Sequence, residues 1–410
     1  MKLHVASPSD FPLGLELPWE RPLQEWAHPG LVTPPRGLGR NLVRFVAHGG
    51  ACYAVKELPE ERAAREYNLL RGLVELDLPA VEPVCLVSAR SGAGAAGRGL
   101  LMTRYLDRSV PLRSRISAST SAAQAAALVD AMADLLVRLH LAGFFWGDCS
   151  LSNTLFRQDA GRYAAYLVDA ETGESHPELS AGQRMHELLI ATENLSGELM
   201  DLQQGVFLPD GVDPVALGAT LAPSYARLWD TLHRVDEYPV ERRELVEARV
   251  HELNELGFDV EEVEIETVAA GSRLRVRVRA TATGHHRRLL MQLLGLDVQE
   301  NQARRLLNDI HDFHAVAAGE GGADTPFAVV AQRWLNEVYR PTLDAVPAMQ
   351  RAKLDDAELF HQLLEHRWYM SEREGRPVPL AAVVPSYVAR ILEPLSEPSL
   401  EAAVLADPAD

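Results

Sequence analysis

Two stretches decide the fold that this sequence predicts, Gly143-Phe-Phe-Trp-Gly-Asp-Cys-Ser-Leu-Ser-Asn-Thr-Leu-Phe156 and Tyr166-Leu-Val-Asp-Ala-Glu171. In them Asn153 follows Asp148 by five positions, and Asp169 follows Asn153 by sixteen. The apolar run just before Asp169 is typical of a strand. Asp and Asn are common turn residues, so one Asp-x4-Asn match alone would carry little information. The combination in this order is far more specific than any single residue in it.

The whole-chain composition bounds what the protein can be. With 410 residues, 47% of them apolar and 24% charged, we expect two or three globular units. The sequence contains no run of about 18 consecutive apolar residues, which is the length needed to span a bilayer. A net charge of −18 argues against general nucleic-acid binding, which needs a basic surface. The three widely spaced cysteines and the absence of a signal peptide indicate the cytoplasm.

The first half predicts a small antiparallel sheet and two helices. The expected strands are 31–33, 41–47, 51–57, 84–88 and 99–106, with His48-Gly-Gly50 as a hairpin turn. Pro59-Glu-Glu61 opens a helix that continues to Leu73. Ser121-x-x-Gln124 is a capping box for a longer amphipathic helix, which ends near Leu141 and leads into the Gly143–Phe156 stretch.

In the second half, apolar residues recur at the spacing of a helix, which predicts that this half is mostly helical. The expected helices are 182–203, 212–232, 240–256, 285–307, 326–343, 355–373 and 380–395. One β-hairpin, 258–281, interrupts them. Three glutamates alternate with apolar residues in its first strand and three arginines in its second, so pairing around Ala270-Gly271 places each Glu opposite an Arg and Ile265 opposite Val276.

Asp148, Asn153 and Asp169 are the residues most suited to chemistry. Phosphoryl transfer requires mainly positioning and charge neutralisation, so few residues are needed and their spacing is informative. Asp148 can accept the proton of an incoming hydroxyl, the Asn153 amide oxygen can bind Mg²⁺, and Asp169 can hold the metal that bridges nucleotide phosphates. ATP and Mg²⁺ are therefore the expected cofactors.

At these residues the chain resembles the protein-kinase-like superfamily, and within it the aminoglycoside phosphotransferases and the lipopolysaccharide (Kdo) kinases. Gly147-Asp148 and Asp169-Ala-Glu171 resemble the Gly-Asp and Asp-x-Glu variants of these small-molecule branches. Trp146 stands where the family usually has His. Ser150 stands where protein kinases keep a Lys, which argues against a protein hydroxyl as the acceptor. The resemblance covers roughly 31–200.

The kinase pattern also predicts the phosphate-binding residues. Lys56 in Tyr53-Ala-Val-Lys56 matches Val-Ala-Ile-Lys on the third strand, where the ammonium contacts the inner phosphates. Glu66, in the following helix, is its expected partner, with Glu60 and Glu61 as rivals. An ordinary lysine at a strand end would look the same.

A phosphate-covering loop and a connector between lobes complete the expected nucleotide site. Gly37, Gly39 and Arg40 lie between the first two strands, where glycines allow close approach to phosphate. A plain turn after Pro34-Pro35 is an equal alternative. Backbone groups of Thr103 and Tyr105 are the expected contacts of adenine.

The resemblance implies an α+β, bilobal kinase-like fold with a mainly helical C-terminal extension. The expected parts are an N-terminal segment 1–30, an N-lobe 31–106, a C-lobe 107–206, a C-terminal domain 207–400 and a tail 401–410. This arrangement also resembles actinobacterial proteins that join a lipopolysaccharide-kinase-like domain to an uncharacterised C-terminal domain.

The function we expect is phosphorylation of a hydroxyl on a sugar or another small molecule. The alternatives are a pseudokinase or nucleotide-sensing scaffold whose C-terminal domain binds a protein partner, and a protein Ser/Thr kinase.

Several other residues are expected to have no part in chemistry. His285-His286-Arg287-Arg288 could bind a metal or an anion, but no further ligand falls at a diagnostic spacing in the sequence, so solvated helix residues are favoured. Trp334, Trp368 and Tyr369 follow the helical period and are predicted to lie in a core.

Overall fold

The computed structural model describes residues 1–6, 11, 16–32, 42–111, 121–204, 208, 211–242, 244–269, 272–317 and 325–395. Their chain divides into two compact units. Unit 1 contains the described residues of 1–157 and 165–231, and unit 2 contains those of 158–164 and 232–397. The fold mixes helices and antiparallel strands, and its C-terminal region is mainly helical with one β-hairpin. The predicted α+β class is therefore confirmed.

Unit 1 begins with a six-stranded sheet in the order β1-β5-β6-β4-β3-β2, whose neighbouring strands are all antiparallel. The strands are β1 Lys2–Val5, β2 Leu31–Val32, β3 Val43–His48, β4 Ala51–Pro59, β5 Pro83–Ser88 and β6 Arg98–Arg104. Gly49 and Gly50 have φ of 59° and 77°, which the tight β3–β4 turn requires and other residues rarely adopt. Strand β1 was not predicted, because a four-residue strand at a chain start has too short a pattern to recognise.

One face of this sheet packs on a helix and the other on the N-terminal segment. Helix α1 (Glu60–Glu75) buries Ala63, Tyr67, Leu70 and Leu73 against β4, β5 and β6. Leu17, Leu23 and Trp26 belong to the same core as Val55 and Met102 of the sheet. Removing apolar surface from water contributes roughly 25 cal/mol per Å². The burial of these side chains is therefore the main contribution to the stability of this part of unit 1.

The remainder of unit 1 carries the two stretches quoted first. Its elements are β7 Val110–Pro111, α2 Ala122–Leu141, β8 Phe144–Phe145, β9 Thr154–Asp159, β10 Arg162–Leu167, β11 Glu174–Ser175, α3 Ala181–Gln204, α4 Pro214–Gly218 and α5 Leu221–His233. The predicted N-cap of α2 is present, since the Ser121 hydroxyl accepts a hydrogen bond from the Gln124 amide at 3.3 Å. The tip of the β9–β10 hairpin, Gln158–Ala164, belongs to unit 2.

Unit 2 is built from a three-stranded sheet and several helices. The sheet has the order β12-β14-β13, from β12 Asp236–Pro239, β13 Phe258–Val268 and β14 Arg273–Gly284. The helices are α6 Glu244–Glu255, α7 His285–Leu294, α8 Glu300–Ala317, α9 Phe327–Trp334, α10 Arg340–Asp344, α11 Ala348–Arg351, α12 Asp356–Glu374 and α13 Leu380–Tyr387. Trp334, Tyr339 and Phe360 are in mutual ring contact at the centre of its core.

The predicted hairpin has the predicted register. Glu262, Glu264 and Glu266 lie opposite Arg279, Arg277 and Arg275, and Ile265 lies opposite Val276. The charged side chains are exposed, while Val276 and Val278 are buried, so alternation alone was sufficient to fix the pairing.

Two expected helices are wrong in part. The 285–307 helix is two helices, because Gly295 adopts a left-handed φ of 69° and ends α7. The 212–232 helix is also divided, into α4 and α5, and the residues before α6 form strand β12.

Trp334 is buried as predicted, but Trp368 and Tyr369 are each 58% exposed. Both of these rings lie on the solvent side of α12, since helical period alone does not show which face of a helix is covered.

Candidate active site

The loop that carries Asp148 is held by a buried carboxylate on α3. Oε1 of Glu187 accepts hydrogen bonds from the amides of Trp146 and Gly147, both at 2.7 Å. The other oxygen, Oε2, lies 2.8 Å from Nε2 of His140, whose Nδ1 lies 2.8 Å from the Tyr225 hydroxyl. Glu187 is 1% exposed, so this network fixes the backbone immediately before Asp148 from inside the unit.

Trp146 connects this loop to the Asp169 segment. Its indole N–H donates to the Asp169 carbonyl oxygen at 2.7 Å, and its own carbonyl accepts a hydrogen bond from the Thr172 hydroxyl at 2.8 Å. The ring is completely buried. Trp146, which stands where the family usually has His, thus supplies a ring N–H that holds the two loops together.

Asp148 is exposed, and both of its carboxylate oxygens have neighbours. The Asn153 side-chain nitrogen donates to Oδ2 at 3.0 Å and to the Asp148 carbonyl at 3.1 Å. The Asn194 side-chain nitrogen lies 3.4 Å from Oδ1. With its nitrogen used in this way, Asn153 retains its amide oxygen as a ligand atom. Ser150 is buried, and its hydroxyl accepts a hydrogen bond from the Asn153 amide, so it stabilises the turn.

Lys56, Glu66 and Asp169 meet in one cluster of unit 1. The Lys56 ammonium lies 3.1 Å from Oε2 of Glu66 and 2.7 Å from Oδ2 of Asp169. Oε2 of Glu171 lies 3.8 Å from the same ammonium. The rival Glu60 instead accepts a hydrogen bond from the Ala89 amide. The Val168 amide donates to the Asn153 carbonyl at 3.1 Å, which brings Asp169 beside the Asp148 loop.

The cluster holds more negative than positive charge. Burial, together with the neighbouring Asp169 carboxylate, raises the pKa of Glu66 from its ordinary 4.5 to about 7, although Lys56 lowers it. Burial disfavours the charged form of Lys56, but the adjacent Glu66 and Asp169 carboxylates outweigh it and raise the Lys56 pKa. Arg62 contributes a second cation, 2.7 Å from Oε1 of Glu171.

Mg²⁺ fits this donor set. Oxygen atoms of Glu66, Asp169 and Glu171 lie within 4.8 Å of one another, and carboxylate oxygens are the ligands that Mg²⁺ prefers. Three carboxylates around one lysine leave charge that a divalent cation would neutralise. Glu171 was quoted in the sequence motif but was not predicted as a ligand.

The remaining predicted nucleotide contacts are less well defined. Gly37, Gly39 and Arg40 lie outside the described residues. Thr103 is in β6, paired with Ala54 of β4. The Tyr105 amide, predicted to be available to adenine, already donates to the Cys52 carbonyl at 2.9 Å.

The residues of α3 that position the Asp148 loop were not predicted from the sequence. Glu187, Asn194 and Glu198 contact that loop, the last through both the amide and the hydroxyl of Ser152. Asn194 follows Glu187 by seven positions and Glu198 follows Asn194 by four. Two of them stand next to the buried Leu188 and Leu195 in the sequence. Polar residues next to the apolar face of a helix are the signal that could have identified them.

Family profiles match two parts of the chain. The profile of the lipopolysaccharide kinase (Kdo/WaaP) family matches residues 51–188, and that of a domain of unknown function, DUF4032, matches residues 227–392. No curated protein matches the chain. One similar solved structure is described as WaaP in complex with acyl carrier protein. It has 19% identity and a TM-score of 0.28, and the match covers 47% of this chain and 90% of that one.

None of the described helices is long and apolar enough to cross a membrane. The two profile matches follow one another along the chain without overlap. The first contains Lys56, Glu66, Asp148, Asn153 and Asp169, which are the residues whose geometry is described above. Residues 51–188 are therefore similar to the lipopolysaccharide kinase family, and residues 227–392 are similar to DUF4032.

Proposed function

We propose that this protein transfers the γ-phosphoryl group of ATP, with Mg²⁺, to a hydroxyl of a sugar or another small molecule. The observation that carries the proposal is the Lys56 ammonium, held between Glu66 and Asp169 beside the loop of Asp148. The kinase-family match of 51–188 supports the reaction class. The acceptor class rests on the resemblance of Gly147-Asp148 and Asp169-Ala-Glu171 to small-molecule kinases.

Each residue of the candidate site has a role in the proposed phosphoryl transfer. Asp148, exposed and oriented by Asn153 and Asn194, would accept the proton of the acceptor hydroxyl. Lys56 would contact the inner phosphates, and Asn153, Asp169 and Glu171 would hold the metal. Bound Mg²⁺–ATP would supply the phosphoryl group and neutralise the charge that develops during its transfer.

The alternative acceptor, a protein hydroxyl, has less support. Protein kinases keep a Lys two positions after the base, and in this chain that residue is Ser150, buried in the turn.

The three free, buried cysteines favour a reducing compartment such as the cytoplasm. A protein partner for the C-terminal domain stays a prediction.

The test is Mg²⁺-dependent turnover of ATP by the intact protein, first alone and then with a panel of monosaccharides, amino sugars and a Ser/Thr peptide. We expect Asp148→Ala and Asp169→Ala to lower turnover by at least about 100-fold. Asp201→Ala, an exposed aspartate of α3, is the matched control and should leave it unchanged.

Two outcomes would contradict the proposal. Nucleotide that stabilises the protein while turnover stays at the blank level would favour the nucleotide-sensing scaffold. Transfer to the peptide in preference to every sugar would favour a protein kinase.

A further inference from the structure

Two histidines and a glutamate converge on one surface of unit 2. His251 and Glu255 lie one turn apart on α6, and Nε2 of His251 is 3.9 Å from Oε1 of Glu255. Nε2 of His286, at the start of α7, is 3.8 Å from the same oxygen. Both distances exceed a hydrogen bond but are close to the spacing of two ligands on one metal ion.

The orientation of His286 is fixed by a carboxylate behind it. Oε1 of Glu300 lies 2.8 Å from Nδ1 of His286 and also accepts its backbone amide at 2.9 Å. An ionised carboxylate only accepts, so Nδ1 donates to Glu300, and in the neutral imidazole Nε2, which lies 3.8 Å from Oε1 of Glu255, is then free to bind a metal ion. A histidine held by a carboxylate on its far nitrogen is the arrangement that metal-binding histidines show.

The orientation of Glu255 is also supported. Its Oε2 lies 3.3 Å from an Arg304 guanidinium nitrogen, while Oε1 faces the two imidazoles. A metal ion between this carboxylate oxygen and the two imidazole nitrogens would bind all three at once. Two neutral nitrogens and one carboxylate suit a borderline metal ion better than Mg²⁺.

We propose that His251, Glu255 and His286 bind a Zn²⁺ ion, with water as the fourth ligand. Metal–ligand bonds of about 2.0–2.1 Å place neighbouring tetrahedral ligands roughly 3.4 Å apart, nearer than the 3.8 and 3.9 Å that separate each imidazole from Glu255, and the three ligand atoms do not all lie within 4.8 Å of one another. Among the described residues, only Glu66, Asp169 and Glu171 already lie together as a complete set of ligands. The proposed site therefore closes by rotation of His251, whose side chain is 75% exposed.

His285 and His286 were predicted to be solvated helix residues. The structure contradicts this for His286, which is 8% exposed, because α6 and Glu300 cover it. The proposed partners lie more than thirty positions earlier along the chain, so ligand spacing in the sequence could not reveal them.

The experiment titrates Zn²⁺, and separately Co²⁺, into the metal-free full chain carrying Asp169→Asn, which weakens the carboxylate cluster of unit 1. Calorimetry should show one Zn²⁺ per chain, and bound Co²⁺ should give the visible absorption of a tetrahedral site. His251→Ala and His286→Gln should abolish this binding. Glu300→Gln should weaken it by about 10–100-fold.

His311→Ala is the matched control, because His311 lies on α8 and stacks on Phe327 at 4.5 Å. We expect it to bind Zn²⁺ as the parent does. Two results would overturn the proposal: no saturable one-to-one binding by the parent, or binding that survives His251→Ala. Since His251 is exposed, that variant should fold even where the buried His286→Gln does not.

Discussion

Two aspartates of one hairpin, Asp159 at the end of β9 and Asp169 just after β10, have opposite surroundings. Asp159 is 2% exposed and accepts hydrogen bonds from the Asn301 amide, the Asn301 side chain and the Gln302 amide, at 2.7–3.1 Å. The Asp169 side chain is 26% exposed and contacts one lysine, which it shares with Glu66 and Glu171.

The difference separates a structural carboxylate, Asp159, from one that we propose to be functional, Asp169. Fixed N–H dipoles at the start of α8 surround Asp159, which therefore caps that helix and holds the hairpin tip within unit 2. Asp169 lies among like charges and remains open to solvent. A folded protein retains such an excess of charge at sites where a ligand neutralises it.

The largest expected effect comes from Asp169→Asn. Loss of a metal ligand should lower Mg²⁺-dependent ATP turnover by at least about 100-fold. The free energy of unfolding should change by no more than about 1 kcal/mol, because the substitution removes an ion pair and a like-charge repulsion together. Turnover assays and denaturant unfolding on the same preparation measure both quantities. Asp201→Asn is the control, and a variant that retained turnover would contradict the assignment.

The opposite pattern is expected for Asp159→Ala. The amides of Asn301 and Gln302 would lose a buried acceptor, which should lower the free energy of unfolding by about 2–3 kcal/mol. Faster hydrogen exchange at the amides of the first turn of α8 would localise the effect to unit 2. Asp312→Ala, at an exposed position of the same helix, should change neither measurement. Unchanged exchange in α8 would show that Asp159 is not its cap.

The pH dependence of stability should also distinguish Asp159. Burial raises its pKa from the ordinary 3.8 to about 6, against the lowering effect of its hydrogen bonds. The folded state therefore holds the proton more tightly, so this contribution is present below about pH 4 and is lost as pH rises to about 6. The difference in unfolding free energy between the parent and the non-titrating Asp159→Asn should fall by about 1–3 kcal/mol across that range. A flat difference would mean that the Asp159 pKa is not raised.

These cases show which parts of the molecule the sequence could predict. The Glu262–Arg279 pairing follows from alternation along two neighbouring strands, so the register was predictable to the residue. Lys56 and Asp148 could be predicted as site residues because their motifs are local and their order along the chain is characteristic. The fold class followed from the same motifs together with the helical period of the second half.

The remaining features depend on tertiary contacts that no local pattern records. Glu187 reads as an ordinary helix glutamate until the Trp146 and Gly147 amides are seen to donate to it. Asp159 looks like a turn residue, and its partners lie about 140 positions later. The break at Gly295 was missed because the apolar period continues across it, and a glycine within such a period ends a helix only when it adopts a left-handed φ.

Trp146→Phe tests the tie between the two loops and has the smallest expected effect. Phenylalanine lacks the indole N–H, which leaves the Asp169 carbonyl without that donor, and its smaller ring leaves a small cavity in the core. We expect these two effects to lower the unfolding free energy by about 1–2 kcal/mol, and ATP turnover to fall about tenfold, since Asp169 is held less rigidly. Trp368→Phe, on the exposed side of α12, is the matched control. If stability fell while turnover and the affinity for Mg²⁺ stayed constant, the indole would support the fold alone, and the Asp169 segment would keep its position through Lys56 and the Asn153 carbonyl.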